Sequence, residues 1–173
     1  MSTTRNKNTY SLPLPTPDGE FTAHYSSKGL CALDFPSGAH SSKQPSNSEP
    51  PPLVHRWHTA TAKALARALA GQPPTDLPPL DFSSGTLFQQ SVWRALARIP
   101  YGRTRTYAQV AQAVARPKAA RAVGGACGAN PIPVLVPCHR VLAAHHALGG
   151  FSAGLNWKRT LLAREGSWPA EQS

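Results

Sequence analysis

The chain has 173 residues and carries 18 Lys and Arg against 8 Asp and Glu, a formal net charge of +10 at neutral pH. No run of apolar residues approaches the roughly 20 needed to span a bilayer, and residues 1–10 lack the apolar core of a secretory signal, so we expect a soluble, cytoplasmic protein without membrane contacts. The three cysteines, Cys31, Cys127 and Cys138, are odd in number and widely spaced, which argues against both a disulfide framework and a Cys-x-x-Cys zinc pair.

Positive charge is concentrated in the second half of the chain. Residues 1–86 hold seven basic and six acidic residues, a net charge of +1, whereas residues 87–173 hold eleven and two, a net charge of +9. Nucleic acid is the commonest partner of such a polycationic segment. An anionic membrane surface is the competing interpretation, but no basic amphipathic helix with a large apolar face accompanies the charge.

The first part of the chain has the pattern of a small antiparallel unit. Residues 9–14 predict a strand, and a Pro-Asp-Gly turn at 17–19 leads into residues 21–25, where apolar and polar residues alternate as in a half-buried strand. A second turn at 27–29 leads into a third predicted strand over 30–35. We therefore expect three antiparallel strands joined by short turns.

A polar segment and one helix follow. Residues 36–52 are rich in Ser, Pro, Asn and Gly, a composition typical of a mobile loop. Residues 54–70 predict a helix, because Trp57, Thr61 and Leu65 recur at helical spacing on one face and Gly71 is placed to end it.

The rest of the first half carries no catalytic pattern. Residues 72–85 contain four prolines and predict an interdomain linker. The histidines His24, His55 and His58 have no partners at metal-ligand spacing, so we expect them at the surface. The first half is therefore interpreted as a scaffold.

Two capping boxes mark helix starts in the second half. Thr86 with Gln89 precedes an apolar helical face that continues to a Pro-Tyr-Gly turn, and Thr106 with Gln109 begins a second helix. Pro117 is placed to end that helix and to occupy the first turn of a third. Two short helices joined by a tight break predict a helix-turn-helix unit.

The third predicted helix, 118–129, has an unusual surface. Lys118, Arg121, Ala122 and Gly125 share one face, so two cations lie beside very small side chains. Small side chains let a helix approach a nucleic-acid backbone closely, which favours a recognition helix. Close packing against a neighbouring helix is the alternative interpretation.

A proline-rich segment, 131–141, places a cysteine directly before a histidine. Its apolar residues 134–136 predict an extended, buried stretch, because the proline that follows disfavours helical geometry. An isolated thiol has a pKa of about 8.5 and reacts well only when a base takes its proton or positive charge stabilises the thiolate. We predict that His139 is the base for Cys138, acting through a water or across a tight turn.

Two further side chains are placed to support this pair. Asn130 follows the third predicted helix and can tie that turn to the cysteine segment. No Asp or Glu occurs from residue 82 to residue 164, so Glu165 is the first carboxylate after that gap and the predicted partner of His139.

Residues 130–141 closely resemble the active-site signature of the 6-O-alkylguanine-DNA alkyltransferases, the methylated-DNA–protein-cysteine methyltransferases. The resemblance covers the second half of the chain in order, whereas the matches in the first half are weak. This sequence departs from the family pattern in one loop, where Phe151 replaces a common tyrosine and Ala153 a common glycine. The other matching positions are 88–93, 99–102, Tyr107, 121–124, 149–152, Lys158, Leu161, Leu162 and Glu165.

The resemblance implies an α+β fold in two parts. Residues 1–80 would form a small α/β scaffold domain of the ribonuclease-H-like type that carries the mobile loop 36–52, and residues 81–86 would be the end of the linker. Residues 87–173 would form a mainly helical DNA-binding and alkyl-acceptor domain with a winged-helix-like helix-turn-helix.

The resemblance also implies a DNA repair enzyme, a single-turnover methylated-DNA–protein-cysteine S-methyltransferase. It would transfer an alkyl group irreversibly to Cys138 from oxygen-6 of guanine, and from oxygen-4 of thymine, in duplex DNA. The third helix would enter the minor groove, where Arg121 fills the space left by a flipped nucleotide. Lys118, Ala122 and Gly125 would contact the DNA beside it.

The implied acceptor site places His139, Glu165 and Asn130 around Cys138, and Tyr107 by the flipped nucleotide as a proton donor to the leaving guanine. We expect no cofactor. We also expect no metal site, because no second cysteine or acidic ligand lies near the His145-His146 pair in sequence. The remaining implied residues line the base pocket: Val141, Phe151 and Ser152.

The implied partner is double-stranded DNA containing alkylated guanine, and further copies of the chain along the DNA are an additional candidate. The protein would therefore be associated with the nucleoid, or lie in the nucleus of a eukaryote. Three other functions are left open. They are a damage-recognition module that binds without repairing, a helix-turn-helix transcription regulator that reads the major groove, and a cysteine hydrolase, for which no oxyanion-hole motif is evident.

Overall fold

The computed structural model describes residues 9–36 and 49–168, and its architecture is mixed α and β. A small antiparallel sheet comes first and most of the helices follow it. None of the helices in these two ranges is long and apolar enough to cross a bilayer. The elements, in chain order, are β1 (Tyr10–Thr16), β2 (Gly19–Ser26), β3 (Gly29–Asp34), α1 (Pro52–Leu69), α2 (Leu87–Leu96), β4 (Arg105–Thr106), α3 (Tyr107–Ala113), α4 (Ala120–Gly128), a 3-10 turn (Cys138–Arg140), β5 (Val141–Leu142), a second 3-10 turn (Ala144–His146) and α5 (Leu155–Arg164).

The three-stranded unit forms as the alternation predicts. β1 pairs antiparallel with β2 and β2 with β3, in the order β1-β2-β3. Phe21, Ala23 and Tyr25 alternate along β2, and each is fully buried. β1 runs past its predicted end to Thr16, whose hydroxyl donates to the carbonyl of Gly19 at 2.7 Å across the predicted turn.

The prediction that His24 lies at the surface is wrong. This side chain is 1% exposed, its Nδ1 lies 2.7 Å from the Ser11 hydroxyl, and its Nε2 lies 2.8 Å from a carboxylate oxygen of Asp34. Both ring nitrogens therefore have partners on neighbouring strands. Sequence spacing did not reveal this because strand register, rather than separation along the chain, brings the three residues together.

The helix of the first half also forms, with an earlier start at Pro52, a first-turn position that suits proline. Gly71 follows its end with a φ of +70°, a conformation that glycine adopts without steric cost. A Cβ at this position would lie 2.5 Å from the carbonyl oxygen of Arg164, so the contact between the two halves also requires glycine. Most of the predicted mobile loop, 36–52, lies outside the described residues, which omit 37–48.

The predicted linker, 72–85, is held against the sheet at one point. Leu80 forms a parallel bridge with Leu30. The amide of Leu30 donates to the carbonyl of Pro79 at 2.8 Å, and the amide of Asp81 donates to the carbonyl of Leu30 at 2.8 Å. Residues 79–81 therefore continue the sheet for a short distance beyond β3.

Helices α2 and α3 begin where the capping boxes predict. In each box the threonine hydroxyl accepts from the amide of the residue three positions later, and the glutamine side chain accepts from the amide of the threonine. Both helices pack against α4 and against each other. The predicted starts of α2 and α3 are therefore confirmed.

The break between α3 and α4 differs from the prediction. α3 ends at Ala113, before Pro117 is reached, because Ala115 adopts a φ of +56° and the amide of Arg116 donates to the carbonyl of Ala111 at 2.9 Å. α4 begins at Ala120, so Lys118 lies in the preceding turn rather than in the helix. The proline does not enter the first turn of α4.

One continuous cluster of buried apolar side chains joins the two halves. It includes Phe21 from β2, Leu65 from α1, Val92 from α2 and Leu161 from α5. A second, two-stranded sheet pairs β4 with β5 in parallel, Arg105 opposite Val141. This pairing brings the start of α3 next to the segment that follows Cys138.

Candidate active site

The segment before Cys138 is buried but not extended. Val134 adopts a φ of +71°, and the amide of Val136 donates to the carbonyl of Ile132 at 2.9 Å, so residues 132–136 form tight turns. The predicted extended stretch is therefore wrong, although Val134, Leu135 and Val136 are at most 4% exposed. Prolines at 131, 133 and 137 have no N–H to donate to a sheet, and among the described residues the one backbone bond from this segment to a strand is accepted by the carbonyl of Pro131 from the amide of Leu33 at 2.8 Å.

Asn130 ties the end of α4 to this segment, as its position predicts. Its side-chain amide donates to the carbonyl of Val136 at 2.8 Å, and its side-chain oxygen accepts from the amide of Ile132 at 3.1 Å. Burial raises the pKa of the Cys138 thiol, while Asn130 and the Lys158 ammonium act in the opposite direction. Asn130 thus fixes the backbone that carries Cys138 and favours the thiolate.

His139 and Glu165 are in direct contact. His139 Nε2 lies 2.9 Å from Glu165 Oε1, and their side chains are 1% and 5% exposed. Burial lowers the pKa of His139, although Glu165 opposes this, so the imidazole is neutral near pH 7. Because an ionised carboxylate only accepts hydrogen bonds, Nε2 carries the proton and Nδ1 holds a lone pair. Among the described residues, Nδ1 has no hydrogen-bond partner.

Arg140 holds the same carboxylate from the other side. Its Nε lies 2.9 Å from Glu165 Oε2 and its Nη2 lies 2.9 Å from Oε1. Its Nη1 donates to the carbonyl of Ile99 at 2.7 Å, and the guanidinium lies 5.6 Å from the centre of the Tyr101 ring. The role of Arg140 was not predicted. It could have been inferred from the sequence, because Arg140 is adjacent to His139 and Glu165 is the first carboxylate after the acid-free stretch 82–164.

The pKa of Glu165 makes the stability of this cluster depend on pH. Burial alone would raise the pKa, but hydrogen bonds from His139 and Arg140 outweigh burial and lower it to about 2. A carboxyl whose folded-state pKa lies below its ordinary value of 4.5 stabilises the fold above that pH, and this stabilisation is lost as the pH falls towards 2.

We therefore expect the free energy of unfolding of the wild type to fall more steeply between pH 5 and about 2 than that of Glu165→Gln. Urea unfolding across this range measures the difference. At neutral pH the variant should be less stable by about 3 kcal/mol, because Arg140 loses its buried partner. The same pH dependence in the two proteins would contradict the lowered pKa of Glu165.

Cys138 lies at the wall of an open cavity of about 380 Å³. The α4 side of this cavity is formed by Arg121, Gly124 and Cys127, and Tyr107 from α3 also lines it. Burial raises the pKa of Cys127 to about 12, so this second thiol stays protonated. The sequence did not indicate that Cys127 would line this cavity. The remaining lining residues are Ala120, Gly128, Gly150 and Phe151.

The outer face of α4 is open. Arg121, Ala122 and Gly125 are exposed, and a Cβ added at Gly125 would meet no atom within 4 Å. The helix packs through its other side, where the Trp93 indole donates to the carbonyl of Ala126 at 2.8 Å. Close packing of the Arg121 face against a neighbouring helix is therefore wrong. Lys118 is exposed in the turn before this face.

Tyr107 begins α3 and is held between α4 and the loop that contains Gly149 and Gly150, which we call the glycine loop. A Cβ at Gly124 would lie 3.8 Å from its ring, and a Cβ at Gly149 would lie 2.7 Å from its hydroxyl oxygen. Burial raises the pKa of Tyr107, so the phenol keeps its proton at neutral pH. The structure thus brings Tyr107, Arg121 and Cys138 to one cavity.

The predicted base-pocket residues are not all brought together. Phe151 lines the cavity, and its ring packs edge-on against Phe35 from the first half, with centroids 5.9 Å apart. Val141 is fully buried and does not line the cavity, and its carbonyl accepts from Lys158 Nζ at 2.6 Å. Ser152 is exposed and also lies outside the lining.

Lys158 was matched only through the family pattern, and the structure places it in α5 with its ammonium between β5 and the glycine loop. The side chain is fully buried, and its Nζ donates to the carbonyls of Val141 and Gly150. It thus joins β5 to the glycine loop. Within the described ranges, no three His, Cys, Asp or Glu side chains are grouped so that they could hold a metal ion.

Comparisons with known proteins agree with this geometry. Residues 87–167 match the family model described as the 6-O-methylguanine DNA methyltransferase, DNA binding domain. The methylated-DNA–protein-cysteine methyltransferase of Methanosarcina acetivorans is 55% identical over 83 residues, 48% of this chain and 53% of that protein. The protein of the same name from Mycobacterium tuberculosis is also 55% identical over 83 residues, 50% of its length. The sequence match thus spans about half the length of these curated relatives.

Solved structures extend the match to the first half. A crystal structure of Mycobacterium tuberculosis OGT in complex with DNA is 36% identical, with a TM-score of 0.73, and the match covers 94% of this chain and 95% of that one. The mixed α and β architecture, including the small antiparallel sheet, is therefore shared along nearly the whole length. On the sequence of its second half and the fold of both halves, the chain belongs to the methylated-DNA–protein-cysteine methyltransferase family.

Proposed function

We propose that this protein repairs DNA by transferring an alkyl group from oxygen-6 of guanine in duplex DNA to its own Cys138, once and irreversibly. Oxygen-4 of alkylated thymine is a second substrate of the same chemistry. The observation that carries this proposal is the position of Cys138, which faces an open cavity beside Arg121 while the adjacent His139 contacts Glu165. The activity named for the relatives supports it.

The proposed chemistry begins with removal of a proton. Nδ1 of His139 accepts the Cys138 proton through a water, and Glu165 stabilises the imidazolium that forms. The thiolate attacks the alkyl carbon in line, so the carbon–sulfur bond forms as the carbon–oxygen bond breaks. Tyr107 donates a proton to the leaving guanine ring. The product is a thioether without a carbonyl for water to attack, so the sulfur is not regenerated and no cofactor is needed.

The substrate atom requires that the nucleotide leave the helix. Oxygen-6 of guanine takes part in base pairing inside the stack, so a buried sulfur cannot reach it in intact duplex. We assign extrusion to α4, which enters the minor groove with its exposed small residues, Ala122 and Gly125, against the backbone. Arg121 fills the space left by the flipped nucleotide. Lys118, in the turn before, contacts phosphate.

The partner in this proposal is duplex DNA, and electrostatics supports it. The second half carries eleven basic residues and two acidic ones. Arg121 lines the cavity and is exposed, and Lys118 is exposed in the turn before α4. Phosphate contacts of this kind give sequence-independent affinity that falls steeply with salt. The relative from Mycobacterium tuberculosis was crystallised with DNA, which supports the same partner here. Copies of the protein bound side by side are a further proposed partner.

The finer division of the fold is part of the same proposal. Residues 1–80 form a ribonuclease-H-like scaffold that includes loop 36–52, and 81–86 end the linker. Residues 87–173 form the DNA-binding and alkyl-acceptor domain, with α3 and α4 as a winged-helix-like helix-turn-helix. The guanine would sit between the Val141 backbone, the Phe151 ring and Ser152, which requires the exposed Ser152 to turn inward when a base binds.

A duplex carrying one labelled methyl group on guanine oxygen-6 tests the function. We expect the label to move from DNA to protein with an amplitude of one per protein molecule and no second turnover. Tight binding to the methylated duplex without transfer would instead support a damage-recognition module. Binding to particular sequences regardless of methylation would support a transcription regulator, and repeated ester turnover would support a cysteine hydrolase.

A further inference from the structure

The end of α5, which presents Glu165, is held by the first half of the chain. Arg164 precedes Glu165 and forms a two-pronged ion pair with Asp18, Nη1 to Oδ2 at 2.8 Å and Nη2 to Oδ1 at 2.7 Å. Asp18 lies in the turn between β1 and β2, 146 residues away in sequence. Planar, paired hydrogen bonds of this kind fix orientation as well as distance.

A second contact, in which Tyr101 of the second half bridges to Gly71 of the first, meets the same helix end. The Tyr101 hydroxyl donates to the carbonyl of Gly71, just after α1, and lies 3.3 Å from the carbonyl of Arg164. The Tyr101 ring also lies under the guanidinium of Arg140, which binds Glu165. The Asp18–Arg164 pair and the Tyr101 contacts together form what we call the α5 clamp.

We propose that Asp18 is a positioning residue for the transfer reaction, acting through Arg164 to hold Glu165 against His139. This inference rests on the proposed function. A helix end lacks intrahelical partners for its last carbonyls and frays unless other groups hold it. Glu165 caps α5, so movement of that end would carry its carboxylate away from His139 Nε2. Arg140 also holds this carboxylate, so the Asp18–Arg164 ion pair adds to that contact and does not replace it.

The clamp gives the first half a part in the chemistry that its sequence did not reveal. Within residues 9–36 and 49–86, the described part of the first half, no residue lines the cavity that contains Cys138. Asp18 instead acts at a distance, on the carboxylate that orients the base. The ion pair is only partly buried, with side-chain exposures of 31% for Arg164 and 24% for Asp18, so a graded rather than complete loss is expected on removing it.

The test uses the full chain with Asp18→Asn, Arg164→Gln and the double variant. Glu20→Gln is the matched control, because Glu20 is an exposed acid in β2, two residues from Asp18, and the substitution removes the same charge. Two quantities are measured well below each unfolding midpoint. One is solvent exchange of the His139 Nε2 proton, seen by NMR in protein with isotope-labelled histidines. The other is the single-turnover rate of methyl transfer from a methylated duplex.

We expect Asp18→Asn to speed exchange of the His139 proton about tenfold and to slow transfer about fivefold. Arg164→Gln should do the same, and the double variant should be no worse than either single one, since all remove one interaction. Glu20→Gln should change neither quantity. Unchanged exchange and rate in Asp18→Asn, or equal changes in Glu20→Gln, would overturn the inference.

The two readouts separate this inference from the proposed function. If the wild type transfers no methyl group, the proposed function fails, but the exchange of the His139 proton still tests the clamp. If the wild type transfers methyl and Asp18→Asn matches it in both measurements, the clamp fails and the proposed function stands.

Discussion

Cys138→Ala is expected to abolish transfer of a labelled methyl group from duplex DNA to the protein while leaving DNA binding intact. The side chain supplies the only atom that we propose to form a bond with the alkyl carbon, and alanine fills less space at a buried site, 4% exposed. The loss of activity is therefore complete rather than graded. Gel separation of protein from labelled duplex measures the transfer, and a binding titration with the same duplex measures affinity.

Cys127→Ala is the matched control, because both thiols line one cavity. Its high pKa, about 12, leaves it protonated, so we expect the control variant to accept one methyl group per molecule. Transfer by Cys138→Ala, or loss of transfer in Cys127→Ala with the fold intact, would show that Cys138 is not the acceptor.

Arg121→Ala is expected to slow repair of duplex DNA about 100-fold, while reaction with a free alkylated guanine base changes little. Extruding a nucleotide costs a few kcal/mol in lost stacking and pairing, and a side chain that fills the gap offsets part of that cost. A free base requires no extrusion. Single-turnover rates with the two substrates measure the difference, and their ratio is insensitive to small changes in folded fraction.

Arg116→Ala removes an equal charge from an exposed position in the turn before α4. We expect this variant to lose some affinity for DNA at low salt but to keep its rate once bound. If the two arginine variants behave alike at saturating DNA, Arg121 acts only through its charge and the extrusion role is wrong.

Elements specified by local chemistry could be predicted from the sequence. The capping boxes at Thr86 and Thr106 start their helices as expected, because a side chain three residues away completes each motif. The alternation in β2 correctly placed Phe21, Ala23 and Tyr25 in the core but missed His24, which is also buried. The end of α3 was missed because an alanine, Ala115, adopts a positive φ, which its residue type does not indicate.

Contacts set by tertiary structure could be predicted only where the sequence left one candidate. Glu165 was found as the partner of His139 because the preceding stretch has no other carboxylate. Lys158 and Asp18 were not, since neither has a spacing pattern that points to its partner. Ser152 was expected in the base pocket through resemblance, and in the structure it faces solvent.

We propose that the His139–Glu165 pair activates Cys138, and the single-turnover rate of methyl transfer by Glu165→Gln tests this role. Glu20→Gln, an exposed acid in β2, is the control. Both are compared with the wild type at pH 7 and saturating methylated duplex, with rates normalised to folded protein. We expect Glu165→Gln to transfer its methyl group about 30-fold more slowly, a modest share of what proton transfer contributes to catalysis, and Glu20→Gln to match the wild type. Equal rates in Glu165→Gln and the wild type would show that the pair does not activate Cys138.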